Sequence, residues 1–310
     1  MPHHRIILDT DIGSDVDDAL ALVQILGTPS LELEAVTTVY GDTALRARIV
    51  RRYAALAGVD LLAHPGVETP LSGREVWWAG HEGTLHDGLG REPVSDEPAV
   101  DHLVRRVLEN PGAIDIVAIG PLTNIAAAIQ SEPGFASAVR GLWIMGGAFA
   151  TGEPENAEPE HAEPEHNFRS DTTAAQIVFD ARIPTVVTGL EVTRQVEIRD
   201  DSVQRIAQAG PAGEALYADI AQWWEFWSTQ WNVPHDPVTV LTLTRPDLFA
   251  FSGPGTVAIE PDGEGAGRSV FTPDAAGWVR VATRADAVAV GEEIVRSIVA
   301  AAANAGVLEG

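Results

Sequence analysis

The 310-residue sequence contains no cysteine and no lysine, so all 20 of its basic residues are arginine. The missing cysteine excludes disulfides, thiolate nucleophiles and cysteine-ligated zinc. The missing lysine excludes Schiff-base chemistry and the lysine of a P-loop phosphate site. No run reaches the roughly 18 apolar residues of a membrane-spanning helix. The first residues, MPHHRIILDTD, lack the pattern of a signal peptide, which favours a cytoplasmic location.

Positive charge is scarce as well, since 45 acidic residues give a formal net charge of -25. A surface this acidic repels phosphate backbones, so a nucleic-acid partner is not expected. Apolar residues make up 45% of the chain, which is enough for a full core. Because no linker composition stands out, we predict one domain over residues 1–310.

Short apolar runs alternate with segments of helical periodicity along most of the chain. The predicted strands are Arg5–Asp9, Leu33–Val39, Ile114–Ile119, Gly141–Met145 and Pro184–Thr188. The predicted helices are Asp17–Leu26, Ala44–Ala57, Val100–Glu109, Asn124–Ile129 and Thr173–Asp180. This rhythm predicts an α/β fold, a Rossmann-like open and mainly parallel sheet flanked by helices. The last third is predicted to be helical from Ser202 to about Trp231, β-rich from Gly255 to Thr283, and helical again at Ala285–Ala303.

An acidic segment follows the first predicted strand. Residues 9–18, DTDIGSDVDD, hold five carboxylates. Ligands of open α/β sheets bind at the carboxyl ends of the strands, and carboxylates this close repel one another unless a cation intervenes. Capping of the helix that starts near Asp17 would account for one or two of the five. The segment therefore predicts a site for a divalent cation with oxygen ligands, calcium or magnesium.

Five segments, in order, resemble motifs of the inosine–uridine nucleoside hydrolase family. They are IILDTDIGSDVDDALAL at residues 6–22, TTVYGD at 37–42, GPLTNIA at 120–126, MGGA and EHNFRSD within 145–171, and HDP at 235–237. The resemblance implies the nucleoside hydrolase fold and an N-ribosyl hydrolase, which cleaves the N-glycosidic bond of a ribonucleoside to give free base and ribose. It also implies a small-molecule nucleoside as substrate and a homo-oligomer, dimeric or tetrameric.

The resemblance further implies a calcium ion that binds the attacking water and the ribose 2′- and 3′-hydroxyls together. By motif position its ligands would be Asp11, Asp18, Asp236 and the main-chain carbonyl of Thr123. Asp11 would also accept the proton of the water, and Asp17 would bind the ribose. The water would attack C1′ of an oxocarbenium-like ribosyl group.

The acidic segment and the second motif depart from the family pattern. Three residues, among them Asp15, separate Gly13 from the Asp17–Asp18 pair, where the commonest form of the family has one. Asp15 is therefore a further candidate ligand. Asp42 stands where many members carry Asn, and it is retained as a predicted substrate contact.

The EHNFRSD segment resembles the part of the family site that binds the ribose hydroxyls. Glu165 and Asn167 are predicted to do so here, and His166 replaces the usual Phe as a contact to sugar or base. The repeats EPENA-EPEHA-EPEHN over Glu153–Asn167 oppose helix and sheet and predict a solvated loop. Asn156 in this loop is a candidate for a further family position.

The leaving base needs protonation or stabilisation, and His235 is the predicted general acid. His86, preferred over His81, is predicted to line the base pocket. Trp224, Trp227 and Trp231 share one helix face, a spacing more common in a core. Their position just before His235 favours at least one of them, Trp227, as a stacking surface for the base.

Two other functions remain open from the residues alone. A phosphohydrolase of the HAD type carries a similar Asp-x-Asp at a strand end, but Gly13 stands where that family needs Thr or Val. A non-catalytic nucleoside or ribose sensor could keep the metal and lack turnover. Ribose release, phosphate release or binding alone would separate the three.

Overall fold

The structure is a computed structural model, and it describes residues 3–149 and 163–304. Within these residues ten strands form one sheet. The strands are β1 His4–Thr10, β2 Leu31–Thr38, β3 Ala63–Pro65, β4 Ile114–Ala118, β5 Gly141–Met145, β6 Thr185–Thr188, β7 Phe249–Phe251, β8 Gly255–Ile259, β9 Ser269–Pro273 and β10 Val279–Ala285. The helices are α1 Asp17–Leu26, α2 Thr43–Leu56, α3 Ala99–Glu109, α4 Thr123–Ser131, α5 Phe135–Ala138, α6 His166–Ser170, α7 Thr172–Asp180, α8 Leu190–Thr193, α9 Asp200–Ala207, α10 Pro211–Trp227, α11 His235–Thr244 and α12 Ala287–Asn304.

The strand order is β3-β2-β1-β4-β5-β6-β10-β8-β9, with β7 paired to β10. The strands from β3 to β10 in this order are parallel, whereas β7 and β8 each pair antiparallel with β10, and β9 pairs antiparallel with β8. The prediction of a Rossmann-like, mainly parallel sheet is thus confirmed. The chain leaves β1 on one side for β2 and β3 and then returns to its other side for β4. Ligands bind at such a switch point, beyond the carboxyl ends of the strands.

Helices cover both faces of the sheet because its central strands are apolar on both faces. In β1, Ile6 and Leu8 pack into one core layer and Ile7 into the other, following the two-residue alternation of a strand. The first layer is completed by apolar side chains of α1, α2, α11 and α12, and the second by those of α3, α4 and α7. No helix in the described ranges is long and apolar enough to cross a bilayer.

The single helical stretch predicted from Ser202 to about Trp231 is wrong. The structure divides it into α9 and α10, because Gly210 adopts φ 125° and Pro211 then opens a new helix. The second helix ends at Trp227, where Ser228 takes the left-handed conformation with φ 54°. The extent of the domain, residues 1–310, stays a prediction.

Candidate active site

The carboxyl end of β1 is tied to its neighbours by Asp9. Its buried carboxylate accepts hydrogen bonds from the Thr37 hydroxyl of β2 at 2.5 Å and from the Asn124 amide of α4 at 2.7 Å. Burial raises the pKa of Asp9 to about 7, although these two hydrogen bonds oppose the shift. Asp9 therefore joins three elements at the switch point and fixes where the chain continues to Asp11.

Three buried carboxylates converge beyond this point. Oxygens of Asp17, Asp18 and Asp236 all lie within 4.8 Å of one another. Asp17 and Asp18 begin α1 and Asp236 lies in the first turn of α11, so two helix N-termini face the cluster and favour negative charge there. The hydroxyl of Thr10 donates a hydrogen bond to Asp18.

Electrostatic repulsion in this cluster is strong. Burial raises the pKa of Asp17, Asp18 and Asp236 well above the usual range, and neighbouring carboxylates raise each further. Burial and the charge of Asp18 raise the pKa of Asp15 to about 7. A hard divalent cation would relieve this repulsion, and carboxylate oxygens are the ligands that calcium and magnesium prefer. The donor set therefore fits such an ion.

The metal-free protein should gain stability as the pH falls from about 8 to about 6.5. Asp9 and Asp15 have pKa values of about 7 in the folded protein, against about 4 in an unfolded chain. The folded state therefore binds more protons over this window, and protonation of the cluster favours it. Below about pH 6.5, histidines with lowered pKa values, such as His235, oppose this gain, because the unfolded state then binds more protons than the folded one.

Thermal unfolding against pH, in chelator and in saturating calcium at constant ionic strength, tests this expectation. Calcium should reduce the pH dependence because a bound cation keeps its ligands ionised. A metal-free melting temperature that falls over the same window would contradict it.

A buried arginine supports the turn after β1. Arg46 of α2 is fully buried, and its Nε donates to the carbonyl of Tyr40 at 2.6 Å. Its Nη1 donates to the carbonyl of Ile12 at 2.9 Å and to that of Asp11. Its guanidinium lies 4.7 Å from the ring centroid of Trp78. Burial raises the pKa of Asp11, and the charge of Arg46 opposes that rise.

Glu165 and Asn167 lie at the start of α6, beside the cluster. The Glu165 carboxylate accepts from the backbone amides of Gly147 at 3.0 Å, Asn167 at 2.8 Å and Phe168 at 3.1 Å. The Asn167 amide donates to the carbonyl of Ile119 at 2.8 Å. Both side chains are buried and their positions are fixed by the backbone of β4, β5 and α6.

The carboxylate cluster, Glu165 and Asn167 line one cavity of about 520 Å³, a volume in the ordinary range of ligand sites. Its lining combines carboxylates with aromatic rings. The lining residues are Asp11, Ser14, Asp15, Asp17, Asp18, Trp77, Ile119, Met145, Glu163, Pro164, Glu165, His166, Asn167, Leu190, Arg194, Trp223, Trp227, His235 and Asp236. Most of the residues predicted to bind metal or substrate are thereby brought together.

The aromatic wall comes largely from α10. Trp223 and Trp227 line the cavity, and the side chain of Trp227 is 55% exposed. Trp77 also lines the cavity, and its ring packs edge-on against that of His166, with 5.6 Å between the ring centroids. Trp224 instead packs against the core and donates to the side chain of Asn232 at 2.5 Å. Trp223 lies four residues before Trp227, a spacing that places both on one face of α10, whereas the predicted face combined Trp227 with Trp224 and Trp231.

His235 lies at the junction of α11 and α8. Its Nδ1 is 2.7 Å from the Thr193 hydroxyl. Burial, together with the charge of Arg194, lowers the pKa of His235 to about 4. The ring is therefore neutral near pH 7 in the free protein. A general acid at this position has to take up its proton in the complex or donate the N–H of the neutral ring.

Some predicted contacts lie elsewhere, and none of them is among the described residues that line the cavity. His86 is 3.0 Å from Asp219, in a smaller cavity behind the Ser14–Asp15 turn, which His81 also lines. Asp42 is exposed and caps α2 by accepting from the amide of Leu45.

Thr123 and Asn156 are the remaining predicted positions. Thr123 begins α4, and its hydroxyl donates to Asp171 at 2.8 Å. Asn156 and most of the repeated pentads lie outside the described residues.

Comparisons with known proteins identify the family of the chain. The family model of the inosine-uridine preferring nucleoside hydrolases matches residues 6–295. Uridine nucleosidase 1 of Arabidopsis thaliana is 30% identical over 290 residues, which cover 89% of this chain and 84% of the relative. The pyrimidine-specific ribonucleoside hydrolase RihB of Escherichia coli is 29% identical over 261 residues, 80% of each protein.

A solved plant nucleoside hydrolase, the PpNRh1 enzyme, superposes with a TM-score of 0.82 at 29% identity and covers 96% of this chain and 99% of that one. Both the sequence match and the structural match span nearly the whole chain. The chain belongs to the inosine-uridine preferring nucleoside hydrolase family and is a nucleoside hydrolase.

Proposed function

We propose that this nucleoside hydrolase depends on calcium and cleaves ribonucleosides, a pyrimidine nucleoside such as uridine first among them. The observation that carries the proposal is the convergence of buried Asp17, Asp18 and Asp236 at the floor of a cavity whose wall is aromatic. The ion would be held by Asp11, Asp18, Asp236 and the Thr123 carbonyl. Uridine is suggested by the relatives, which are named uridine nucleosidase and pyrimidine-specific hydrolase.

Asp15 would be a further ligand of the ion. It lines the same cavity, and its pKa is raised by burial and by its acidic neighbours, as expected for a carboxylate that a cation compensates. When bound, the ion would lower the pKa of a water molecule and orient it beside the ribose.

The chain's own residues would perform the remaining tasks. Asp11 would accept the proton of the attacking water, from its position beside the cluster at the end of β1. Asp17, Glu165 and Asn167 would bind the ribose hydroxyls. All three line the cavity, and the backbone hydrogen bonds of Glu165 and Asn167 would hold their side chains in place for that role.

At the base end, Trp227 would stack on the nucleobase and His166 would contact base or sugar. His235 is proposed as the proton donor, although its neutral state in the free protein requires protonation in the complex or donation from the neutral ring. The predicted substrate contacts of His86 and Asp42 have no support from the cavity, which neither residue lines, and substitution of each would test them.

Ribose release from a panel of nucleosides tests the function. The protein should release ribose with calcium present, lose activity after chelation and regain it when calcium is restored. Phosphate release from a phosphomonoester would indicate a phosphohydrolase instead, and tight nucleoside binding without ribose release would indicate a sensor. Cytoplasmic location and homo-oligomerisation remain predictions.

The sugar should be recognised far more strictly than the base. We expect kcat/KM for uridine to exceed that for 2′-deoxyuridine by about 10⁴-fold, because a site built to pair with hydroxyls leaves buried polar groups unpaired without them. An aromatic stacking wall separates bases by only about 10- to 200-fold, so inosine should remain within that range of uridine. Uridine monophosphate should be rejected by the acidic lining.

Steady-state kinetics on the four compounds measures these ratios. If uridine and 2′-deoxyuridine were cleaved with equal kcat/KM, the site would not bind the 2′-hydroxyl. The proposed roles of the ion and of Asp17 would then be wrong.

A further inference from the structure

The cavity has a marked imbalance of charge. Seven of its described lining residues are carboxylates, whereas Arg194 is the sole arginine among them. An arginine stays charged at any pH the protein experiences. This single fixed positive charge has no role in the functions proposed so far.

Arg194 belongs to the wall on which His235 lies. It follows α8 directly, and the preceding residue, Thr193, contacts the His235 ring at 2.7 Å. Leu190 of the same helix also lines the cavity. The guanidinium is thereby carried by a different wall from the Asp17–Asp18 pair at the start of α1.

The guanidinium is available to a ligand. It forms an ion pair with Glu163, and both side chains are more than half exposed, at 54% and 53%. Exposed ion pairs contribute little free energy because water screens them. An anion that forms inside the cavity, where water is partly displaced, would interact with the same guanidinium more strongly.

Cleavage of a glycosidic bond separates charge along the cavity. The C1′–N bond breaks, its electron pair goes to the base, and the ribosyl group becomes positive. The oxygen of water bonds to C1′ and its proton goes to Asp11, while the departing base takes up a proton from His235, the proposed donor, or from solvent. Carboxylates beside the ribose stabilise the positive ribosyl group, and a cation beside the base stabilises its negative charge.

We propose that Arg194 stabilises the negative charge that develops on the departing nucleobase, with bases that carry this charge on a carbonyl oxygen, such as uracil and hypoxanthine, as the favoured class. The inference rests on the proposed hydrolysis of ribonucleosides. A planar guanidinium presents paired donors to such an oxygen, and removing a comparable donor from other enzymes costs about 10²–10³-fold in rate.

The test compares Arg194→Met with the wild-type enzyme, in saturating calcium, on uridine and on p-nitrophenyl riboside. The variant should lose about 100-fold in kcat/KM on uridine. It should change little on p-nitrophenyl riboside, because p-nitrophenolate leaves without help. Arg194→Lys should recover part of the loss, since it keeps the charge but not the paired donors.

Arg205→Met is the matched control. Arg205 of α9 is also an exposed arginine paired with an exposed glutamate, Glu292, at 2.9 Å, with exposures of 46% and 60%. It is not among the described residues of the cavity, so its substitution should leave both rates unchanged. Circular dichroism on all variants checks the fold.

Equal losses on both substrates, or none on either, would overturn the proposal while leaving the hydrolase function standing. Uridine monophosphate is the third substrate: if wild type cleaved it and Arg194→Met lost only that activity, the guanidinium would face the 5′ end instead. A wild-type enzyme that released ribose from neither nucleoside nor riboside would overturn the proposed function itself.

Discussion

Asp11→Asn should lower kcat for ribonucleoside hydrolysis by about 10³-fold. The substitution keeps the shape of the side chain but removes the carboxylate proposed to accept the water's proton. Asp11 is buried beside the other carboxylates, and Arg46 holds its carbonyl, so the backbone should stay in place. Rates measured over a range of calcium concentrations separate a lost proton acceptor from a weakened ligand.

If calcium at high concentration restored kcat, Asp11 would act as a ligand alone. The control is Asp60→Asn, which removes the same charge from a side chain that is 92% exposed. That variant should keep the wild-type rate. Residual activity of Asp11→Asn within about tenfold of wild type would contradict the proton-transfer role, since general bases contribute more than this.

Asp236→Asn should abolish tight calcium binding and activity, and at the same time stabilise the metal-free protein. We expect calcium affinity to fall by more than about 100-fold, beyond the effect of losing an outer-sphere partner. The metal-free protein should gain stability because Asp17 and Asp18 then repel one carboxylate fewer in a buried site. Calorimetric titration and thermal unfolding in chelator measure the two effects.

These opposite signs distinguish a metal ligand from a residue that merely packs. A structural role predicts lower stability with and without calcium. Near-stoichiometric calcium binding by Asp236→Asn would show the ligand assignment to be wrong, whatever the activity. Asp60→Asn again serves as the surface control.

Much of the fold could be predicted because its signals are local. The helix Asp17–Leu26 and the strand Gly141–Met145 have the predicted bounds, since apolar periodicity and the surrounding turns define both. The strand order cannot be obtained from periodicity, yet the alternation of strands and helices was enough for a parallel sheet. The break at Gly210 was missed because periodicity continues through it and only the glycine–proline pair marks it.

The site was predictable where chemistry is concentrated in the sequence and elusive where it depends on packing. Asp18 and Asp236 lie close together at the N-termini of α1 and α11, two helices that are far apart in the sequence, as the motifs suggested. The burial of Arg46 could have been inferred from its i, i+3 and i+7 spacing with Ile49 and Tyr53 on the inner face of α2. The place of His86, beside Asp219 of α10, depends on a contact between distant segments that no local pattern contains.

The side of the cavity formed by Glu165 and Asn167 and the side formed by α10 differ in how well they would tolerate substitution. Glu165 and Asn167 hydrogen-bond to backbone groups of several elements and also line the cavity, so replacing either would disturb the scaffold together with the proposed sugar contact. Trp227 is half exposed at the end of α10, and its ring contacts are with Trp223 and Phe226 of the same helix. New base preferences are therefore accessible by single substitutions along α10, whereas a change of sugar requires several compensating changes at once.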